Sequence, residues 1–300
     1  MRTLCFGEAI VDLICETHVA TLADADSFAP HVGGVSTNVA VTAARAGAKV
    51  SLAGGVGDDG WGAWLHGRIG AENVDLEWFR LVGGRSTAVA FVTVDDYGEP
   101  SYELCGDGLG ATISVLKRPL LQAVEATDAL FFGSNMLAGK AEAALATSAR
   151  ERALELGHPV VFDPNVRLGR WEGNAARAGA ACGECVPGAF LVKCNQHEAR
   201  MMTGEDAPEA AAASLLAAGA QHVIITLGAR GAILRGGGLR RDIDGFPARV
   251  VSTIGAGDVF MGIVLARLGT TDFYPSALAA ALADAVEEAA LACRRWGALE

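Results

Sequence analysis

Short, continuously apolar runs alternate along this chain with longer stretches whose apolar residues recur at helical spacing. The runs predict strands over residues 2–10, 49–53, 129–133, 159–163, 189–195, 222–227, 231–235 and 249–253. The longer stretches predict helices over 37–46, 60–71, 139–156, 208–218, 258–267 and 276–296. Several runs, such as Val160-Val161-Phe162 and Val223-Ile224-Ile225, are apolar at every position, as strands covered on both faces tend to be. Strand-helix alternation of this kind predicts an α/β fold with a mostly parallel central sheet and helices on both faces.

Two stretches depart from that scheme. Residues 11–32 and 86–113 carry no long helical pattern. The second holds the strand-like run Ala88-Val89-Ala90-Phe91-Val92-Thr93-Val94, a turn at Asp95-Asp96-Tyr97-Gly98, and a return through Ser101-Tyr102-Glu103-Leu104, which reads as a hairpin. Two strand-forming insertions predict a small separate sheet, a candidate lid. Nothing resembling a linker divides the chain, so residues 1–300 are expected to form one domain.

Half of the residues are hydrophobic (51%) but only 6% are aromatic, a composition suited to helices packed closely on a sheet. The net charge of −11 weighs against nucleic acid or an anionic membrane as a partner. Seven scattered cysteines, several in apolar settings such as Leu4-Cys5-Phe6, point to a reducing, cytoplasmic compartment. Cys182-Gly183-Glu184-Cys185 has metal-site spacing, but no second pair or nearby histidine completes it, and it reads as structural. Met1-Arg2 leads straight into a strand-like run, so no leader peptide or membrane span is expected.

The most specific chemistry lies at Ser252-Thr253-Ile254-Gly255-Ala256-Gly257-Asp258, just before an apolar helical run. Gly255, Ala256 and Gly257 allow a tight curl that brings successive N–H groups near a ligand, and the helix start adds partial positive charge. That suits an anion. Asp258 is out of place at an anion site unless it takes a proton from a hydroxyl attacking a bound phosphoryl group. The bland alternative is a glycine turn with an ordinary first-turn carboxylate.

In a parallel sheet, ligands collect at the carboxyl ends of strands. Asp163-Pro164-Asn165-Val166-Arg167, Asn195-Gln196-His197-Glu198 and Thr226-Leu227-Gly228-Ala229-Arg230-Gly231 each follow such a run. Singly, each is as well read as a cap or turn; together they converge on one edge. Near the N-terminus, Asp12 and Asn38, the latter shortly after Gly33-Gly34, offer the acceptor and donor pattern of a sugar-hydroxyl site. Gly55-Val56-Gly57-Asp58-Asp59-Gly60 spells a dinucleotide fingerprint, but a pyrophosphate would have to settle beside two aspartates.

In these motifs the chain resembles the ribokinase-like (pfkB-type) carbohydrate kinases from residue 4 to about 298. The family's D-T-x-G-A-G-D signature is matched by Ser252–Asp258, its paired glycines before an asparagine by Gly33, Gly34 and Asn38, and its N-x-x-E by Asn195 and Glu198. Its G-x-V-G-x-D-x-x-G segment is matched by Gly55, Val56, Gly57, Asp59 and Gly62, which accounts for the dinucleotide-like spelling. The resemblance implies an ATP-dependent kinase in which Asp258 is the general base and Gly255, Ala256 and Gly257 hold the phosphoryl group. It gives the sugar to Asp12, Gly33, Gly34, Asn38 and Arg167, and the nucleotide to Asn195, Thr226, Gly228, Gly231 and Asp284. Asn195 and Glu198 would act on Mg²⁺ through water. The insertions would form a lid, which in relatives often contributes to a homodimer.

Gly7-Glu8-Ala9-Ile10-Val11-Asp12, and Phe162 through Arg167 with Trp171, look most like fructokinases. Fructose is therefore the expected acceptor; ribose, 2-keto-3-deoxygluconate or a nucleoside remain alternatives. Val35-Ser36-Thr37 departs from the usual fructokinase helix start, and Tyr102 is followed by Glu103 where 2-keto-3-deoxygluconate kinases carry arginine. Ser252 replaces an aspartate that often helps hold a monovalent cation, which weighs against K⁺ activation. Asp284 stands where relatives commonly have an asparagine near the adenine. Outside this family, a non-catalytic sugar-binding protein and an NAD-dependent oxidoreductase are the competing readings.

Overall fold

The computed structural model describes residues 1–105 and 109–300. The first half contains β1 (Arg2–Phe6), β2 (Ile10–His18), β3 (Ala29–Gly33), α1 (Val35–Arg45), β4 (Lys49–Gly57), α2 (Gly60–Gly70), β5 (Phe79–Val82), β6 (Val89–Val94) and β7 (Pro100–Cys105). It continues through α3 (Leu109–Ile113), α4 (Lys117–Glu125), β8 (Ala129–Gly133), α5 (Lys140–Glu155), β9 (Val160–Asp163), α6 (Ala175–Gly183), β10 (Leu191–Asn195), α7 (Gln196–Thr203) and α8 (Pro208–Ala217). The last elements are β11 (His222–Thr226), β12 (Ala232–Gly236), β13 (Leu239–Ile243), α9 (Ala256–Thr270) and α10 (Ser276–Ala292).

Nine strands form the main sheet in the order β13-β12-β11-β10-β9-β8-β1-β4-β5. The pairs from β5 through to β11 run parallel, and only β12 and β13 turn back as an antiparallel edge. Alternate side chains of the same strands enter two different cores. Cys5, Leu52 and Phe131 pack with α1, α9 and α10 on one face. Leu4, Phe6, Leu130, Phe132 and Phe162 pack with α4, α5 and α8 on the other. Phe131 and Phe132 are both essentially inaccessible, and truncating either to alanine would cost about 3–5 kcal/mol. No helix among the described residues is long and apolar enough to cross a membrane.

The two non-helical insertions pair with each other. β2 lies antiparallel to β3 and parallel to β6, and β6 returns through the predicted turn as β7, giving a separate four-stranded sheet in the order β3-β2-β6-β7. This sheet stands over the carboxyl ends of the parallel strands. Its attachment is specific: Asp59 accepts hydrogen bonds from both the N–H and the hydroxyl of Thr87, just before β6 (2.7 Å each), and from Gly62 N–H at 2.8 Å. Although burial raises it, these donors hold the Asp59 carboxyl below its ordinary value. The N-terminus of α2 is thus capped by the protein's own carboxylate, which leaves no place there for a pyrophosphate.

One expected strand is not formed. Residues 249–253 form no strand and, among the described residues, pair with none: Val251 and Ser252 N–H both donate to Cys293 O at the end of α10 (2.7 and 3.1 Å), and Thr253 N–H donates to Gly98 O in the lid turn (2.8 Å). The apolar pair Val250-Val251 suits a strand and an anchored loop equally well. Here the backbone groups found other partners.

Candidate functional site

The segment leading from 249–253 ends in the glycine turn. Ser252, fully buried, accepts from Ile254 N–H through its hydroxyl at 3.1 Å and so sharpens the turn. Gly255 then sits at φ 71°, the left-handed region, and a Cβ there would come within 2.2 Å of Ala298 Cβ, so glycine is required. It caps α9. The N–H of Ala256 reaches Thr253 O at 3.3 Å, whereas those of Gly255 and Gly257 find no acceptor among the described residues. Two N–H groups, those of Gly255 and Gly257, are thus left without an acceptor at the mouth of α9, where backbone donors and the helix start suit an anion.

Asp258 lies in the first turn of α9, 3% exposed. Asn38 Nδ2, from α1, donates to its Oδ2 at 2.9 Å, and Asn165 Nδ2 donates to its Oδ1 at 2.8 Å. Both carboxylate oxygens are therefore held, one by each amide. Burial raises the Asp258 carboxyl above its ordinary value, opposed by the Asn38 hydrogen bond and the charges of Arg167 and Lys193. A raised proton affinity makes it a better base, and the two amides fix where its remaining lone pairs point.

Sequence reasoning gives Asn165 no role of its own. It follows Pro164, which favours extended backbone at Asp163, and itself adopts φ 37°. Asparagine tolerates that conformation better than most residues and supplies the donor as well. Its neighbours in the loop also reach the site. Arg167 stacks over the Tyr102 ring of β7 at 5.2 Å, and it lines the same cavity as Asp12, Asn38 and Asp258.

That cavity has a volume of about 550 Å³ and lies between the lid and the sheet edge. Asp12 projects from β2 beside Gly33, where any Cβ would sit 2.3 Å from the Asp12 carboxylate. Gly34, at φ 99°, caps α1, and a Cβ on it would meet Glu8 O at 2.4 Å. Both glycines make room for neighbours that line the cavity. Glu8 is 2% exposed and accepts from Val35 N–H and Asn135 Nδ2 through one oxygen, at 2.9 Å each. Neither Glu8, in the turn between β1 and β2, nor Asn135, just after β8, is singled out as a site residue by sequence, since nothing local shows that the two side chains meet.

Among the described residues, three buried acceptors around the cavity have no donor: Asp12 Oδ1, Asn38 Oδ1 and Asn135 Oδ1. Burial pushes the Asp12 carboxyl up to about 7; Arg167 opposes that shift, while Asp258 and Glu8 reinforce it. Orphaned acceptors of this kind call for a ligand rich in O–H donors.

On the neighbouring strand ends, Asn195 and Glu198 form a reciprocal cap of α7. Asn195 Oδ1 accepts from Glu198 N–H and Glu198 Oε2 from Asn195 N–H, both at 2.9 Å. Glu198 Oε1 accepts from Val166 N–H at 2.9 Å and so ties this cap to the loop bearing Asn165 and Arg167. With its oxygens engaged by the backbone, Glu198 retains only its outer lone pairs, which fits contact with Mg²⁺ through water better than direct ligation. Thr226, Gly228 and Gly231 lie at the end of β11 and in the loop after it; Gly231, at φ 96°, would drive a Cβ into Ile243 O at 1.9 Å. Arg230 bridges this loop to Gln196 at 2.7 Å. Asp284 is exposed on α10 and paired with Arg267 at 3.1 Å; like Asn195, Glu198, Thr226, Gly228 and Gly231, it lies outside the lining of the cavity.

Comparison with known proteins bears on this geometry. Residues 2–300 match the pattern of the pfkB family carbohydrate kinases. A probable fructokinase-4 of Arabidopsis thaliana is 29% identical over 267 residues, covering 88% of this chain and 81% of that protein. Fructokinase-2 of Solanum lycopersicum is 28% identical over 264 residues, with coverage of 88% and 80%. Among solved structures, an ATP-bound fructokinase from Xylella fastidiosa superposes with a TM-score of 0.84 at 25% identity, covering 99% of this chain and 94% of that one. An aminoimidazole riboside kinase from Salmonella enterica, complexed with aminoimidazole riboside and an ATP analog, gives 0.81 at 25% identity, with 100% and 95% covered.

Proposed function

The chain belongs to the pfkB family of carbohydrate kinases, and from that premise we propose that it phosphorylates a neutral sugar, fructose first, at a primary hydroxyl with ATP as donor. The observation that carries this is the double clamp on Asp258 at the mouth of α9, beside free backbone donors and a cavity of unpaired acceptors. The sugar's hydroxyls would donate to Asp12, Asn38 and Asn135. One hydroxyl would then meet Asp258 while the γ-phosphoryl group rests on the N–H groups of Gly255, Ala256 and Gly257.

In the transfer, the hydroxyl oxygen forms a bond to the γ-phosphorus and its proton passes to Asp258. The bond from that phosphorus to the bridging oxygen breaks, and the electron pair leaves with ADP. Mg²⁺, held through water by Glu198 and Asn195, would neutralise charge on the phosphates. The lid would exclude water, which otherwise competes as acceptor.

A neutral acceptor is favoured over a sugar acid by the charges at the cavity. Glu8, Asp12, Glu103 and Asp258 line it, and its two arginines are engaged, Arg167 on Tyr102 and Arg170 with Glu142 at 3.2 Å. Coupled ADP release across neutral sugars, sugar acids and nucleosides, with and without K⁺, tests the reading. Fructose is expected to give the highest kcat/KM; a sugar acid or nucleoside turned over more efficiently would overturn the choice of acceptor.

A further inference from the structure

A cation stands at the same helix mouth, and it comes from a strand. Lys193 is the middle residue of β10, flanked by Leu191, Val192 and Cys194, all fully buried. It is itself only 4% exposed, and Asp163, its partner at 2.8 Å, is 0% exposed. Strand register makes the pair: β10 runs parallel to β9 with Val192 opposite Phe162, so the next residue of each strand meets at the carboxyl end of the sheet.

An ion pair this deep is rarely a net gain unless its remaining polar atoms are satisfied. These are not. Among the described residues Asp163 Oδ1 has no hydrogen-bond partner, and the Lys193 ammonium, with three N–H groups to give, bonds to Asp163 Oδ2 alone. A pair serving only to fill the core would be expected to complete itself. The ammonium also stands against the glycine turn: a Cβ built on Gly257 would lie 3.1 Å from Lys193 Nζ. Burial would lower the lysine, but Asp163, Glu198 and Asp258 together keep it charged.

We propose that Lys193 is a catalytic residue whose spare N–H groups bind the oxygens of the phosphoryl group in transfer, and that Asp163 is a positioning residue holding that ammonium at the mouth of α9. This rests on the kinase reading above. No proton moves to or from Lys193; it supplies fixed positive charge where the phosphoryl oxygens gather, alongside the backbone donors. It also gives Gly257 a reason beyond the turn, since a side chain there would crowd the ammonium.

The test uses the full chain and two variants, Lys193→Met and the double variant Lys193→Met/Asp163→Leu, which removes both charges and leaves no lone ion in the core. Two quantities are read: kcat with the best acceptor found, and the ratio of ATP to ADP affinity by calorimetry without acceptor. Each soluble variant is expected to lose about 10²-fold in kcat with acceptor KM within about threefold. It should also lose about tenfold or more of its preference for ATP over ADP, as expected for a charge-assisted contact to the γ-phosphoryl group. A merely structural pair would lower the melting temperature and leave the ATP/ADP ratio untouched. Either variant keeping both kcat and that ratio near wild type would overturn the proposal. Should wild type turn over no acceptor, the kinase reading fails instead, and the affinity ratio still judges Lys193 by itself.

Discussion

The Asn165 side-chain amide donates to Asp258 at 2.8 Å across 93 residues of sequence, and it does so from a left-handed backbone conformation at φ 37°. That conformation and that donor are separable by mutation. Asn165→Gly keeps the backbone at ease and deletes only the hydrogen bond. We expect kcat to fall by about tenfold or more, because one Asp258 oxygen loses the anchor that aims the carboxylate. The melting temperature should change little. A variant with wild-type turnover would show that the Asn38 contact alone suffices.

The acidity of Asp12 sets a second expectation. Its carboxyl, pushed to about 7 in the ligand-free protein, must be ionised to accept sugar hydroxyls. Since kcat/KM reports the free enzyme, it should decline as pH drops through about 7. Asp12→Asn should remove the Asp12 titration from that acid limb. A kcat/KM profile flat from neutrality down to the ordinary carboxylate range would contradict the assignment of Asp12.

Linkage gives the same residue an opposite effect on stability. A carboxyl raised by folding contributes stability below its unfolded pKa, and that contribution is lost as pH rises through about 7. At a pH above that value the wild type carries an unfavourable buried charge that a neutral amide side chain would not. Asp12→Asn is therefore expected to stabilise the unliganded protein by on the order of 1–3 kcal/mol in alkaline buffer, fading toward zero in acid. Thermal unfolding at two pH values measures it. A destabilised variant at alkaline pH would mean that Asp12 is not under electrostatic strain.

Much of this architecture is legible in the sequence. β8 forms over the predicted residues, and α2, α5 and α8 end within a residue of expectation, because continuous apolar runs and caps such as Asp59 speak locally. The short edge strands Phe79–Val82 and Leu239–Ile243, and the helices Lys117–Glu125 and Ala175–Gly183, escape the pattern; each is too short for its periodicity to stand out. At the site, the motif places Asp258, Gly34 and Asn38 together but cannot orient them. Asn38 is expected to face sugar, yet its amide nitrogen is given to Asp258 and only its oxygen is left free. Lys193 is visible as a charge inside an apolar strand, but its partner lies 30 residues away and only strand register brings the two together.

The most direct measurement is turnover of Asp258→Asn, per folded molecule, with the sugar that wild type prefers. Asparagine preserves shape but cannot accept the proton, so kcat is expected to fall by about 10² or more with acceptor affinity little changed. Turnover within a few-fold of wild type in that variant would mean that the hydroxyl is activated elsewhere, and the account of this site would be wrong.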